Sequence, residues 1–145
     1  MTIPEEPIIV EHTFNTSADK VWNAITKPDQ MKQWYFDSIE AFEPVVGFKT
    51  QFIVQANEKS YHHHWHVTKV EPGKKISYNW KYEGIPGDSN VSFELSEKNG
   101  QTKLILTHKV LESFPQDVPE FKRESGLAGW KYFIQDSLKG YLENS

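Results

Sequence analysis

Four of the six histidines of the chain lie within residues 61–66, which read YHHHWH. Successive side chains of a β-strand point to opposite faces, so His62, His64 and His66 would share one face of this stretch. Histidines two positions apart on one face can bind zinc through imidazole nitrogen, with a further ligand from a neighbouring strand. The alternative is a polar strand face exposed to water. The spacing therefore predicts either a zinc site of these three histidines or a hydrated surface.

The hydrophobic pattern leaves open which face of this strand is buried. His63 shares the odd-numbered face with Tyr61 and Trp65, and this face is the more apolar one. The phase that runs back from Val70 favours the even-numbered face instead. We therefore predict a strand over residues 61–71 and leave its inner face unassigned.

His108 is the second candidate for chemistry. It follows Leu104 and Leu106 on one face of an alternating strand, so it is predicted to point towards the interior. An imidazole there could hydrogen-bond a ligand or act as a general base. The alternative is a core histidine whose ring is satisfied by Tyr78 or by a backbone carbonyl. No serine or carboxylate can be assigned beside it, so the sequence does not predict a catalytic triad.

The composition excludes several classes of function. The 145 residues are the length of one domain, and the net charge of −4 arises from 16 basic and 20 acidic residues without a long block of like charges. This distribution argues against nucleic-acid partners and against an anionic membrane surface. The absence of cysteine excludes disulfides, thiolate chemistry and cysteine-based zinc sites. Because no phosphate-binding glycine loop or nucleotide fingerprint occurs, we expect no cofactor.

The first residues, MTIPEEPIIVEH, lack a basic region followed by an apolar run, which is the pattern of a secretory signal. No apolar run approaches the ~20 residues that a membrane span needs. We therefore expect a cytoplasmic location and no membrane partner.

The element that must position these residues is a long helix predicted over residues 118–144. Its apolar residues recur every three or four positions and so form one stripe. The stripe consists of Leu127, Trp130, Ile134, Leu138 and Tyr141, widened by Phe133 and Leu142. No other segment offers a helix of comparable length, so the helix is predicted to lie across a sheet.

The rest of the chain predicts short helices and strands. The predicted elements are a strand over residues 8–15, two short helices with Ser17 and Asp29 as N-caps, strands over 38–42, 48–55, 61–71, 74–83, 91–96 and 101–111, and a loop over 84–88. Asn99-Gly100 predicts a type I′ hairpin, because both residues tolerate positive φ. The fold class is thus α+β, with an antiparallel meander of six or seven strands curved around the C-terminal helix.

Several short motifs follow one another along the chain between about Ile9 and Leu142. They are Val21-Trp22-Asn23-Ala24-Ile25-Thr26, Pro28-Asp29 with Trp34, Gly47-Phe48, Val70-Glu71-Pro72 with Ile76, Tyr78 and Trp80, Leu106-Thr107-His108, and Gly129-Trp130. In this order and spacing the chain resembles the helix-grip fold of the START and birch-pollen-allergen (SRPBCC) superfamily. Within it, the chain resembles bacterial proteins related to the C-terminal domain of the heat shock protein 90 ATPase activator.

The resemblance implies a cavity between the sheet and the C-terminal helix, which in many relatives takes up an apolar or amphipathic small molecule. The side chains predicted to line it are Trp34, Phe52, Tyr78, Trp80, Phe93, Leu106, His108, Trp130 and Ile134. Two departures from the family pattern stand out. Val46 replaces the first residue of a glycine pair, and residues 61–66 replace a stretch of glycine or other small residues. We expect the pocket to differ accordingly from those of relatives.

We therefore predict one helix-grip domain over residues 1–145 that binds a small hydrophobic or amphipathic molecule without catalysis. One alternative is a cyclase or hydrolase that uses His108, which would require an inward carboxylate or tyrosine nearby. The other is an interaction module, either a homodimer or a chaperone-ATPase regulator. A chaperone partner is the least favoured, since the eukaryotic activators use a separate N-terminal domain for much of that binding.

Overall fold

The computed structural model describes residues 7–36, 38–39, 41–56, 59–112 and 123–143. The strands are β1 (Ile8–Phe14), β2 (Lys49–Ala56), β3 (Lys59–Glu71), β4 (Lys75–Tyr82), β5 (Ile85–Lys98) and β6 (Gln101–Glu112). Between β1 and β2 lie the helices α1 (Ala18–Thr26) and α2 (Pro28–Trp34). The C-terminal helix runs continuously through α3 (Arg123–Lys131), a π-helical segment (Tyr132–Leu138) and α4 (Lys139–Glu143).

The six strands form one antiparallel sheet in the order β1-β6-β5-β4-β3-β2. Strands β2 to β6 are a meander, and β1 pairs with the last strand, β6. The predicted hairpin between β5 and β6 is confirmed, because Asn99 and Gly100 have φ of 54° and 78°. The predicted α+β fold, with its curved sheet and C-terminal helix, is therefore confirmed.

The strand predicted over residues 38–42 is wrong. The described residues of this segment are not in a strand, yet Ile39 and Phe42 are buried. Their side chains pack into the core from an irregular segment, which reproduces the hydrophobic signal of a strand without pairing to a neighbour. Among the described residues the sheet accordingly has six strands, the lower of the two predicted numbers.

The loop predicted over residues 84–88 is also wrong, because β5 begins inside it. Gly84 has φ of 74°, a conformation that glycine adopts without steric cost, and the chain reverses there. Ile85 consequently pairs at once with Tyr82 of β4. The register between the two strands then shifts before Trp80, so the strand is irregular where a loop was predicted.

Both short helices form, but only the first has its predicted cap. The Ser17 hydroxyl accepts a hydrogen bond from the Lys20 backbone N–H at 3.4 Å at the start of α1. The N-cap of α2 is Lys27, with Pro28 at its first helical position, so the prediction of Asp29 as the cap is wrong. Proline at that position needs no N–H and has the helical φ, so the helix starts two residues earlier than it would with Asp29 as its cap.

The C-terminal helix departs from a regular α-helix over residues 132–138, where it is π-helical. Trp130, Ile134 and Leu138 are all buried and follow one another at intervals of four. An interval of four exceeds the 3.6 residues of an α-helical turn, so the wider π turn keeps these side chains on one face. The predicted start of the helix at Val118 lies outside the described residues.

A β-bulge in β3 explains why the inner face of this strand was ambiguous. The pairing with β4 has one register up to Val67 and another from Lys69 onwards, which leaves Thr68 as an extra residue. Before the bulge the odd positions are buried, and beyond it Val70 is half-buried. The Thr68 hydroxyl donates a hydrogen bond to the Ser77 carbonyl at 3.3 Å. Both hydrophobic phases seen in the sequence are therefore correct, each for its own half of the strand.

Side-chain hydrogen bonds attach the C-terminal helix to the elements beneath it. The Ser137 hydroxyl donates to the Trp34 carbonyl at 2.6 Å, and the Gln135 amide donates to the Glu11 carbonyl at 3.2 Å. No helix of the described residues is long and apolar enough to cross a membrane.

Candidate functional site

Tyr35 lies at the centre of an aromatic cluster between the inner face of the sheet and the C-terminal helix. Its ring centroid is 4.7 Å from those of Trp34 and Phe36, its neighbours in sequence. It is 5.9 Å from Trp130 and 5.1 Å from Phe133, which lie on the C-terminal helix. Aromatic pairs at such distances contribute about 0.5–1.5 kcal/mol beyond the burial of their surface. The cluster therefore joins the segment after α2 to the helix that covers the sheet.

Eight of the nine side chains predicted to line a pocket are buried in the core. They are Trp34, Phe52, Tyr78, Trp80, Phe93, Leu106, Trp130 and Ile134. The ninth, His108, keeps some exposed surface. The nine predicted side chains do not all lie around one region of the core. Phe52 packs at the β2 side of the core, and the Trp34 indole N–H donates to the Ala24 carbonyl at 2.7 Å, so Trp34 holds α1 against α2.

His108 is placed on the inner face by its strand pairing. It lies opposite Ile8 of β1 and Val91 of β5, the two strands between which β6 is paired. Its ring centroid is 6.1 Å from that of Trp80 and 6.0 Å from that of Trp130. The imidazole is thus flanked by one indole from the sheet and one from the C-terminal helix.

Both ring nitrogens of His108 are buried, and neither has a hydrogen-bond partner within the described part of the chain. Burial lowers the pKa of this histidine to about 4, so the ring is neutral at physiological pH. A neutral imidazole offers one N–H donor and one nitrogen acceptor. The two partners anticipated from the sequence, Tyr78 and a backbone carbonyl, are not bonded to it. Within the described residues, the donor and the acceptor of the His108 ring therefore have no partner in the aromatic core.

Tyr78 is bonded elsewhere. Its hydroxyl lies 2.9 Å from that of Tyr35, and both groups are buried. Burial raises the pKa of both phenols above their ordinary value, so both stay protonated at neutral pH. One hydroxyl donates to the other, which makes the pair a small polar element within the aromatic cluster.

His63 is a second buried histidine on the inner face. It is not among the residues predicted to line the pocket or to bind zinc. Its Nδ1 lies 3.1 Å from the Tyr61 carbonyl, and its ring stacks on Phe52 with centroids 5.0 Å apart. Burial lowers its pKa to about 4, although the bond to that carbonyl acts in the opposite direction. Alternation with Trp65 was the available signal for its position, but the bulge beyond Val67 obscured it.

The three histidines predicted to bind zinc lie on the outer face of β3. The structure brings together only His62 and His64, with Glu83 as the third group, while His66 is exposed and lies outside this cluster. Glu83 follows β4, and its backbone N–H donates to the His62 carbonyl at 2.9 Å. Counting residue pairs outward from the Pro72-Gly73 turn places Glu83 opposite His62 only when the extra residue of the bulge is included in the count.

A shallow cleft of about 120 Å³ lies between the end of β1 and the end of the C-terminal helix. It is lined by residues 12–16 together with Lys139, Leu142 and Glu143. The pKa of His12 in this cleft is lowered, first by burial and then by the charge of Lys139. None of the nine residues predicted to line the pocket is among those that line this cleft.

The profile of a protein family described as "Activator of Hsp90 ATPase homolog 1-like protein" matches residues 15–143. The chain belongs to this family. The match covers the region from the end of β1 to the end of the C-terminal helix, so the helix-grip resemblance stated from the motifs is confirmed. No curated protein sequence matches the chain.

Solved structures share the fold of this family member. Protein MLL2253 from Mesorhizobium loti is 24% identical, with a TM-score of 0.75 over 97% of this chain and 98% of the other. CalU16 from Micromonospora echinospora is 26% identical, with a TM-score of 0.68 over 94% of this chain and 75% of the other. The Aha1 dimer from Colwellia psychrerythraea is 24% identical, with a TM-score of 0.71 over 96% of this chain and 97% of the other.

Proposed function

We propose that this domain binds one small, largely apolar and uncharged molecule between the inner face of the sheet and the C-terminal helix. His108 would recognise the single polar group of that molecule. The observation that supports the proposal is the imidazole of His108, buried with both nitrogens unpartnered among the described residues.

The energetic argument concerns the missing hydrogen bonds. A buried polar group without a partner costs about 1–3 kcal/mol of stability. Leu or Phe at the same position would fill the space without this cost. The two ring nitrogens point in diverging directions, so a ligand group that donates to one nitrogen or accepts from the other recovers part of this cost. Hydroxyl, amide and protonated carboxyl groups meet this requirement.

The surroundings of His108 define the rest of the ligand. Trp80 and Trp130 flank the ring, and no charged side chain is bonded to it within the described part of the chain. An ion would lose its hydration here without compensation. Indole rings favour a flat or cyclic apolar body, because they provide large surfaces at low conformational cost.

Binding is favoured over catalysis by the same geometry. A general base needs a hydrogen-bonded group that orients it, and in the described residues no hydroxyl or carboxylate is bonded to His108. The buried hydroxyls of Tyr35 and Tyr78 are bonded to each other. The proposed function is therefore that of a binding protein.

The first test is native mass spectrometry of gently purified protein, followed by extraction of any bound mass. The recovered compound, or the uncharged fluorophore N-phenyl-1-naphthylamine when none is recovered, is then titrated into the wild type, His108→Leu and His63→Leu. We expect His108→Leu to weaken binding at least tenfold, a loss of about 1.4 kcal/mol. His63→Leu is the matched control, since it removes a buried histidine that already has a partner, and it should change affinity less than twofold.

Two results would overturn the proposal. One is the absence of saturable binding by a folded wild-type protein for both the extract and the fluorophore. The other is an equal loss of affinity in the two variants, which would mean that the response comes from general loosening of the core.

A further inference from the structure

Two histidines and a carboxylate lie together on the outer face of the sheet, on the opposite side from the proposed ligand. We propose that His62 Nδ1, His64 Nε2 and a Glu83 carboxylate oxygen form a three-ligand site for Zn²⁺. We call these residues the outer-face triad. Their candidate ligand atoms all lie within 4.8 Å of one another.

The backbone places the triad before any metal is bound. His62 and His64 are two positions apart on β3, so their rings project from the same face and stack with centroids 4.7 Å apart and an interplanar angle of 21°. Glu83 is held opposite His62 by the backbone hydrogen bond from its N–H to the His62 carbonyl. Much of the ordering that a metal site requires is therefore provided by the pairing of β3 with β4.

The carboxylate already lies between the two rings. One oxygen of Glu83 is 2.8 Å from His62 Nδ1, and the other is 3.9 Å from His64 Nε2. Zinc bonds of about 2.0–2.2 Å in tetrahedral geometry place ligand atoms roughly 3.4 Å apart. The widest separation in the triad, 4.8 Å, must therefore shrink by about 1.4 Å. Rotation of the side chains suffices, because those of His62, His64 and Glu83 are 30%, 39% and 63% exposed.

The donor set selects the metal. Two imidazole nitrogens and one carboxylate oxygen suit Zn²⁺, whereas Mg²⁺ and Ca²⁺ prefer oxygen ligands alone. Three protein ligands leave the fourth position of the ion to water. Lys81 is opposite His64 in the strand pairing and brings a positive charge to this side of the sheet, but its ammonium lies 3.9 Å from the Asp88 carboxylate. The Asp88 carboxylate thus partly offsets the positive charge of Lys81 beside the proposed site.

A simpler arrangement explains part of the geometry. Glu83 could serve only as a hydrogen-bond acceptor for His62, with His64 as a neighbour. In that case His64 would not be a zinc ligand, and a change at His64 would leave the zinc affinity of the protein unchanged. Substitution at His64 therefore separates a three-ligand site from an ordinary surface ion pair.

The experiment is a zinc titration of untagged protein in competition with a chelating dye of known affinity. We compare the wild type with His64→Gln and Glu83→Gln, and we use His66→Gln as the control. His66 lies on the same face of the same strand, but it pairs with Asn79 and has no place in the triad. We expect one Zn²⁺ per chain, a loss of affinity of at least tenfold in each triad variant, and a change of less than twofold in the control.

A nitrogen-resolved NMR titration of the histidine rings provides a second measurement. Zinc should shift His62 Nδ1 and His64 Nε2 and leave the rings of His63 and His108 unchanged. The proposal fails if the wild type shows no saturable binding, if His66→Gln weakens binding as much as His64→Gln does, or if the shifts occur at other histidines. Millimolar Mg²⁺ should not compete, and competition by it would also contradict the assigned donor set.

Discussion

The two buried histidines of the inner face have the same charge state and different connections. Burial lowers the pKa of both His63 and His108 to about 4, so both rings are neutral at physiological pH. His63 is bonded to the Tyr61 carbonyl of its own strand. The ring nitrogens of His108 are bonded to nothing in the described residues. Burial and a shifted pKa are therefore shared by a structural histidine and a candidate binding residue, and the missing hydrogen bonds distinguish them.

The two rings also differ in the elements that surround them. His63 stacks on Phe52 and contacts Tyr82, both on strands of the β2 side of the sheet. His108 lies between Trp80 and Trp130, and the latter belongs to the C-terminal helix. The environment of His63 is completed by the sheet and the segment beside it, whereas that of His108 depends on the position of the helix.

The largest expected effect tests what the two histidines share. A group whose folded pKa is lower than its unfolded value of 6.5 stabilises the fold above pH 6.5, and this contribution is lost as the pH falls towards 4. Between pH 7.5 and pH 5 the loss should be about 2 kcal/mol for each of His63 and His108. Urea unfolding across this range should show a marked decrease in the free energy of unfolding.

The control is the double variant His63→Leu/His108→Leu, which should remove most of this decrease. An unchanged pH dependence in the double variant would mean that both rings can be protonated in the folded state.

The tyrosine pair shows what an unmade hydrogen bond costs in the same core. Tyr78→Phe leaves the buried Tyr35 hydroxyl without its partner and should lower the free energy of unfolding by about 2 kcal/mol. The double variant Tyr35→Phe/Tyr78→Phe removes both groups and should be nearly as stable as the wild type. Thermal and urea unfolding measure both values, and additive losses in the double variant would contradict the pairing.

The smallest expected effect separates the two histidines from each other. At pH 7.5, His63→Leu removes the hydrogen bond to the Tyr61 carbonyl and should destabilise the protein by about 1 kcal/mol. His108→Leu removes a group that has no partner among the described residues, so the stability of this variant should equal or exceed that of the wild type. Equal destabilisation by the two substitutions, measured by urea unfolding, would show that His108 is as well bonded as His63.

Much of the fold follows from patterns that are local in the sequence. Alternation defines β4 and β6, Asn99-Gly100 defines the β5–β6 hairpin, and the apolar stripe defines the C-terminal helix. Each of these signals depends on residues that are close together along the chain. Such elements can be predicted without knowledge of their neighbours.

The errors occur where tertiary packing replaces a local signal. Ile39 and Phe42 are buried without a strand, because a packed irregular segment shows the same apolar residues as a strand. The π-helical segment arises from the side chains that it must place against the core. Both features do have a spacing in the sequence, but the same spacing also fits a regular α-helix or a regular strand, so it does not identify them.

The candidate sites were only partly predictable for a related reason. The alternation of β6 placed His108 on the inner face, but the state of its two nitrogens depends on residues far away in the sequence. His62 and His64 were identified from their spacing, whereas Glu83 was missed. Its position depends on the extra residue Thr68, which changes the count between the two strands.

That extra residue also affects how the chain reaches its fold. If β3 and β4 paired regularly outward from the turn at residues 72–74, every pair beyond Thr68 would be displaced by one position. The displaced register would turn Trp65 towards water and His64 towards the core. The pairing of β3 with β4 can therefore continue from the turn into the native register only with the bulge formed, which keeps Trp65 in the core and leaves the rings of His62 and His64 on the outer face.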